Sequence, residues 1–239
     1  MTVTWEEAGW ERLAAGVGRC RLPGWDCTVG LVVGDGSALM IDAGSSVAEG
    51  ARLRTAAQAL AGRRVTHLAL THAHFDHVFG ASVFAGATVL VAGGLSEVFE
   101  GGGEELRADA VRNGLDPRAA ENAADILVCP SEYVWGPTVL DMDGGPEVQL
   151  VATRGHTAHD LALVVPGDPP VVFCGDLVEE SGEPQAGPDA VPAHWPAALD
   201  RLLSLGGEDA LYVPGHGAVV DAGFVRAQRD ALAARFGVS

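Results

Sequence analysis

Residues 72–77 read His72-Ala73-His74-Phe75-Asp76-His77, which puts three imidazoles and a carboxylate within six positions. These are the common nitrogen and oxygen donors for zinc and similar ions. In an extended segment alternate side chains share a face, so His72 and His74 point the same way. Asp76 and His77, beyond a turn, can then face a second ion. Further candidates stand later in the chain: His156 in Arg154-Gly155-His156-Thr157, Asp176 in Cys174-Gly175-Asp176, and His216 in Val213-Pro214-Gly215-His216-Gly217. Each follows an apolar run and has a glycine beside it. A lone Gly-Asp is usually a turn and a lone histidine usually structural, so the weight lies on their joint occurrence. Strand ends suit ligands, because the scaffold is rigid there and the loops can shape a pocket.

The elements that would position these residues are legible in outline. Apolar runs at 28–33 and 38–42, separated by Gly34-Asp35-Gly36, predict a hairpin. Residues 45–60 predict a helix with Gly62 as its stop. A strand at 65–70 runs straight into the histidine cluster. Further strands are expected at 88–92, 148–153, 161–165, 171–174 and 210–213, with helices at 193–205 and 222–236. Residues 93–137 read as one long, partly helical connection bordering the site, with a short apolar run at 126–129. Strands in clusters with helices between them suit two sheets covered by helices. No linker divides residues 1–239, and one domain is expected.

With 239 residues, of which 48% are hydrophobic, the chain can bury a sizeable core. Its net charge of −17 argues against nucleic-acid and membrane-surface partners and leaves a small-molecule substrate as the expected partner. The four cysteines form no C-x-x-C pair; Cys129 and Cys174 end apolar runs and read as buried free thiols, and a Cys20–Cys27 disulfide stays open. The N-terminus lacks the basic region and apolar run of a secretory signal, and no stretch is apolar enough to span a bilayer. Cytoplasm is the expected compartment.

The order His-x-His-x-Asp-His, Gly-His-Thr, Gly-Asp, Pro-Gly-His-Gly, preceded by Ile41-Asp42-Ala43-Gly44, resembles that of the metallo-β-lactamase superfamily over roughly residues 28–217. The resemblance implies an α/β fold, a four-layer αββα sandwich, with a two-metal centre along one edge. His72, His74 and His156 resemble the ligands of the first metal, and Asp76, His77 and His216 those of the second. Asp176 resembles the carboxylate that bridges both. Asp42 resembles the aspartate that orients ligating histidines. Zinc suits this donor set best, and iron and manganese accept it too. The implied chemistry is hydrolysis of an ester, thioester, lactone or amide by a metal-bridging hydroxide, with Asp76 and Asp176 as the catalytic carboxylates.

Where many relatives have Pro-Gly after Gly-His-Thr, this chain has Ala158-His159-Asp160. His159 in this loop is a candidate pocket wall, as are Tyr133, Trp135 and Trp195 in the irregular stretches 93–137 and 178–195 that are expected to set specificity. His67 and His194 read as structural or surface residues, and Ser181 and Cys174 receive no catalytic role. A mononuclear iron sulfur dioxygenase is the alternative within the same resemblance. A β-lactamase is less favoured, because those enzymes generally lack the bridging aspartate and are exported. The short stretch after His216 is expected to leave no room for the extra helical domain of glyoxalase II.

Overall fold

The structure, a computed structural model, describes residues 3–238. Seven strands form the first sheet in chain order: β1 Glu11–Ala14, β2 Val17–Arg21, β3 Thr28–Val33, β4 Ala38–Ile41, β5 His67–Ala69, β6 Thr88–Ala92 and β7 Glu132–Val134. Neighbours are antiparallel up to β4 and parallel from there on. Five strands form the second sheet, in the order β12, β11, β10, β9, β8. They are β8 Thr138–Asp141, β9 Glu147–Thr153, β10 Asp160–Val165, β11 Val171–Glu179 and β12 Leu211–His216. Only β11 and β12 run parallel, as their helical crossover requires.

Period-two alternation along the strands builds the layers. Leu39 and Ile41 of β4, with Leu161, Leu163 and Val165 of β10, face the interior between the sheets. Ala38 and Met40 face outward, onto α1 Val47–Ala61, the short α2 Phe75–Val78, and the helices α3 Ser96–Gly101, α4 Gly103–Arg112 and α5 Pro117–Asp125. Ala162 and Val164 face the other way, onto α6 Trp195–Gly206 and α7 Ala222–Phe236. Three apolar interfaces thus separate four layers, the αββα arrangement expected. Each fully buried aliphatic side chain contributes about 1.5–3 kcal/mol.

The helix α1 begins where its sequence says it should. Ser46 accepts from the Glu49 backbone N–H at 3.3 Å, and the Glu49 carboxylate returns to the Ser45 N–H at 2.8 Å. Such a cap is worth about 1 kcal/mol. Gly62, in the left-handed conformation, ends it.

Several expectations are corrected. The 93–137 connection is not wholly a loop with helices, because Glu132–Val134 pairs with β6 and forms the edge of the first sheet. Ile126 and Cys129, at the two ends of the apolar run 126–129, are exposed, so Cys129 is not a buried thiol. Cys20 and Cys27 are both free, which removes the disulfide. β1, β2 and β8 carry no clear apolar alternation and exist through pairing with stronger strands. No helix of the described residues is long and apolar enough to cross a membrane.

Candidate metal centre

The predicted ligands arrive from separate elements at one rim of the sandwich. His72 and His74 follow β5, and Asp76 and His77 lie on α2. His156 follows β9, Asp176 lies within β11, and His216 closes β12. Asp176 sits at the middle: its Oδ2 is 3.6 Å from His72 Nε2, 3.4 Å from His156 Nε2 and 3.3 Å from His216 Nε2. Its Oδ1 is 3.2 Å from His77 Nε2. Asp76 Oδ2 is 3.4 Å from His216 Nε2, and His74 Nδ1 is 3.1 Å from His156 Nε2. Gly215 is required beside this carboxylate, since a Cβ there would fall 1.8 Å from Asp176 Oδ1.

The outward hydrogen bonds fix the tautomers. Asp42 accepts from the Thr71 N–H at 2.7 Å, the Thr71 hydroxyl at 2.8 Å and His77 Nδ1 at 2.9 Å. Having given its proton to Asp42, the Thr71 hydroxyl accepts from His72 Nδ1 at 3.0 Å. One buried carboxylate therefore orients two imidazoles, and it does so from a left-handed backbone (φ 60°), the kind of local strain that functional sites hold. His156 Nδ1 donates to the Gln185 carbonyl at 3.1 Å, His216 Nδ1 to the Trp25 carbonyl at 2.7 Å, and His74 Nε2 to Asp189 at 3.0 Å. Every imidazole thus gives its proton outward and turns a lone pair inward. His72 Nε2 and Asp176 Oδ1 are buried with no hydrogen-bond partner. Five lone pairs and two carboxylates facing one another are satisfied by cations, so the residues fit a divalent metal.

Without cations the same field holds protons. Burial works against charge on His216, but Asp176 overrides it and raises the imidazole to about 10. His77 is likewise raised, against its burial, by the surrounding anionic groups. Burial dominates at His156, lowering it to about 4, and at His72, which lies well below its ordinary value. Asp176, despite its burial, is held well below the usual carboxylate range by His216 and His77. Burial first, then Asp176, pushes Glu179 up to about 9.

Above the cluster opens a cleft of about 760 Å³, bordered by α4, Trp25 and residues 181–189. None of the four expected pocket walls lines it. Trp195 is fully buried, with its indole N–H on the Leu177 carbonyl and its ring against His156, because it anchors α6 to the second sheet. Tyr133 is partly buried against the helical layer of the first sheet. Trp135 and His159 border a different crevice. Ser181 reaches the cleft edge, while Cys174 faces the α6 side. His67 is half-buried in β5 and His194 is exposed.

Three residues of the site gave no sequence signal. Asp189, Gln185 and Trp25 lie in irregular segments and act through a loop carboxylate or backbone carbonyls. Cys27 lies under the cluster, its thiol 3.5 Å from the Asp76 carbonyl. Burial pushes that thiol up to about 12, so without metal it stays protonated and donates to that carbonyl.

A family model described as the metallo-beta-lactamase superfamily matches residues 22–216, and the chain belongs to that superfamily. Metallo-beta-lactamase domain-containing protein 1 of Xenopus laevis is 34% identical over 128 residues, covering 53% of this chain and 43% of that protein. A hydroxyacylglutathione hydrolase of Nitrosococcus oceani is 25% identical over 155 residues, covering 65% and 49%. The chain therefore spans less than half the length of these curated relatives. Among solved structures, a metallo-beta-lactamase from Pontibacter korlensis aligns with a TM-score of 0.67 at 20% identity, over 93% of this chain and 97% of that one. FIM-1 from Pseudomonas aeruginosa, a metallo-beta-lactamase in a mono-zinc form, aligns with a TM-score of 0.67 at 18% identity, over 95% of each. At these identities the likeness is one of fold. Members of the superfamily are metal-dependent hydrolases, and this chain keeps a His/Asp cluster able to hold divalent metal.

Proposed function

We propose that the chain is a dinuclear, zinc-dependent hydrolase of a small ester, thioester, lactone or amide, acting in the cytoplasm. The observation that carries this reading is the convergence of five inward imidazole lone pairs on Asp176, with buried polar atoms left unpartnered. His72, His74 and His156 would hold one ion and Asp76, His77 and His216 the other. Asp176, within 3.6 Å of imidazoles from both groups, would serve both. A bound pair supplies a water acidic enough to ionise near neutral pH and an electrophile for the substrate oxygen.

The protein's own groups do the positioning. Asp42 and Thr71 lock the tautomers of His77 and His72, and Trp25 and Gln185 lock those of His216 and His156. Asp76, beside His216 and at the cleft, stands where it can orient the attacking water. Glu105, Asp109, Glu183 and Asp189 line the cleft against Arg112, which is itself paired with Asp109. That charge supports a small, weakly charged substrate over a nucleic acid. The hydroxyacylglutathione hydrolase relatives favour testing a thioester first.

The test is a panel of thioester, lactone, phosphodiester and β-lactam substrates on zinc-loaded protein. Turnover of a thioester or lactone that Asp176→Ala abolishes is the expected result. Full turnover by Asp176→Ala overturns the proposal.

A further inference from the structure

The rim that carries the metal cluster also holds a second crevice of opposite electrostatic character. It lies where the sheets part at the ends of β6, β7 and β9, beside α6, and encloses about 460 Å³. Arg154, Arg201, His159 and His194 line it together with Trp135, and among the described residues no carboxylate does. In a chain with 32 acidic and 15 basic side chains, that separation of charge is a local construction. Arg201 keeps its place by donating to the Ala152 carbonyl at 3.1 Å, which leaves most of its guanidinium donors free. Among the described residues Arg154 has neither an ion-pair nor a hydrogen-bond partner, and it is exposed at the crevice mouth.

The aromatic wall is equally specific. Trp135 is 77% exposed, yet its indole lies on the backbone of Gly93, where a Cβ would fall 2.3 Å from Cδ2. The His159 ring lies in the same way on Gly94, whose Cβ would meet Cε1 at 2.2 Å. The glycine pair lets both rings rest on main chain and leaves one large indole face in water, a costly exposure for a side chain that dominates interface energetics when covered. His156 borders the metal cleft and His159, three residues on, borders this crevice, so one turn separates the two.

We propose that this crevice binds a small aromatic molecule carrying a carboxylate or a phosphate, its oxyanion held by Arg154 and Arg201 and its ring stacked on Trp135. Guanidinium forks match both oxyanions, and planar rings stack on indole. The site is separate from the metal cluster and independent of the hydrolase reading.

Calorimetric titration of the metal-loaded full chain with phenyl phosphate, benzoate and neutral benzamide tests it. At least one of the two anions binds, and benzamide binds more weakly by roughly tenfold or more, the effect of a lost charge-assisted hydrogen bond. Arg154→Gln and Trp135→Ala each weaken the anion by a similar factor, with melting temperatures that show both variants folded. Asp176→Ala, which disables the metal cluster, leaves the affinity in place. Tighter binding of phenyl phosphate assigns a phosphate ligand, and tighter benzoate a carboxylate. Absence of saturable anion binding, or binding that Arg154→Gln leaves unchanged, overturns the proposal.

Discussion

The two halves of the metal centre are built to different standards of rigidity. On one side, His72 and His77 are buried and oriented by Asp42 and Thr71, which lie at the ends of adjacent parallel strands. On the other side, His74 and His156 take their outward partners from residues 185–189, an irregular segment whose Asp189 side chain is 48% exposed. A buried carboxylate accepting three hydrogen bonds in a low-dielectric setting holds its partners far more firmly than an exposed one. The strand-borne half thus provides a fixed frame, and the loop-borne half borders the open cleft above the cluster.

Removing a group shared by both halves should have the largest effect. Asp176→Ala is expected to lower turnover by about 10³-fold or more, since several kcal/mol of charge stabilisation goes with it. His74→Ala should do the same, and circular dichroism should show both variants folded. Next comes the frame. Asp42→Ala should weaken metal affinity by about 10–100-fold in chelator competition. It should also destabilise the metal-free protein by about 1–3 kcal/mol in denaturant unfolding, because Thr71 and His77 lose a buried partner. Asp189→Ala should cost only a few-fold in metal affinity and little stability. Equal losses from Asp42→Ala and Asp189→Ala would erase the distinction between the halves.

An effect on stability rather than on the metal centre concerns Asp160, behind the His156 turn, whose carboxylate accepts from the Thr157 hydroxyl at 2.7 Å and its N–H at 3.0 Å. Burial is the largest influence and raises this carboxyl from 3.8 to about 7. Between those values the folded state holds a proton that the unfolded chain releases, so this group's contribution to stability falls as pH rises and is flat above about 7. The stability of wild type relative to Asp160→Asn, measured by urea unfolding of metal-free protein, should therefore decline from pH 4 towards 7. A difference independent of pH would show that Asp160 ionises normally.

The division between frame and loop also explains what could be read from residues alone. Imidazoles and carboxylates at strand ends announce themselves by type and spacing, so the seven converging side chains and Asp42 were all legible. So were the strands that read as compact apolar runs, such as β3 and β6. Asp189 was not, because an acidic residue in a Gly/Pro-rich segment has the signature of any solvated loop. Trp25 and Gln185 act through carbonyls that every residue possesses. Trp195 was misplaced because proximity to a site in sequence says nothing about which side of a helix meets the core. Trp135 and His159, expected as walls of the substrate cleft, border the cationic crevice instead. β1 and β2 escaped notice because long-range pairing, not local pattern, makes them strands.

On the proposed function, seven side chains together hold a pair of divalent cations. Elemental analysis of the natively purified chain by mass spectrometry tests it most directly. Two divalent ions per chain are expected in the wild type, with zinc dominant, and loss of metal in Asp176→Ala. A chain with all seven residues intact that holds no metal, or that holds a single iron insensitive to substitution of Asp76 and His216, would contradict it.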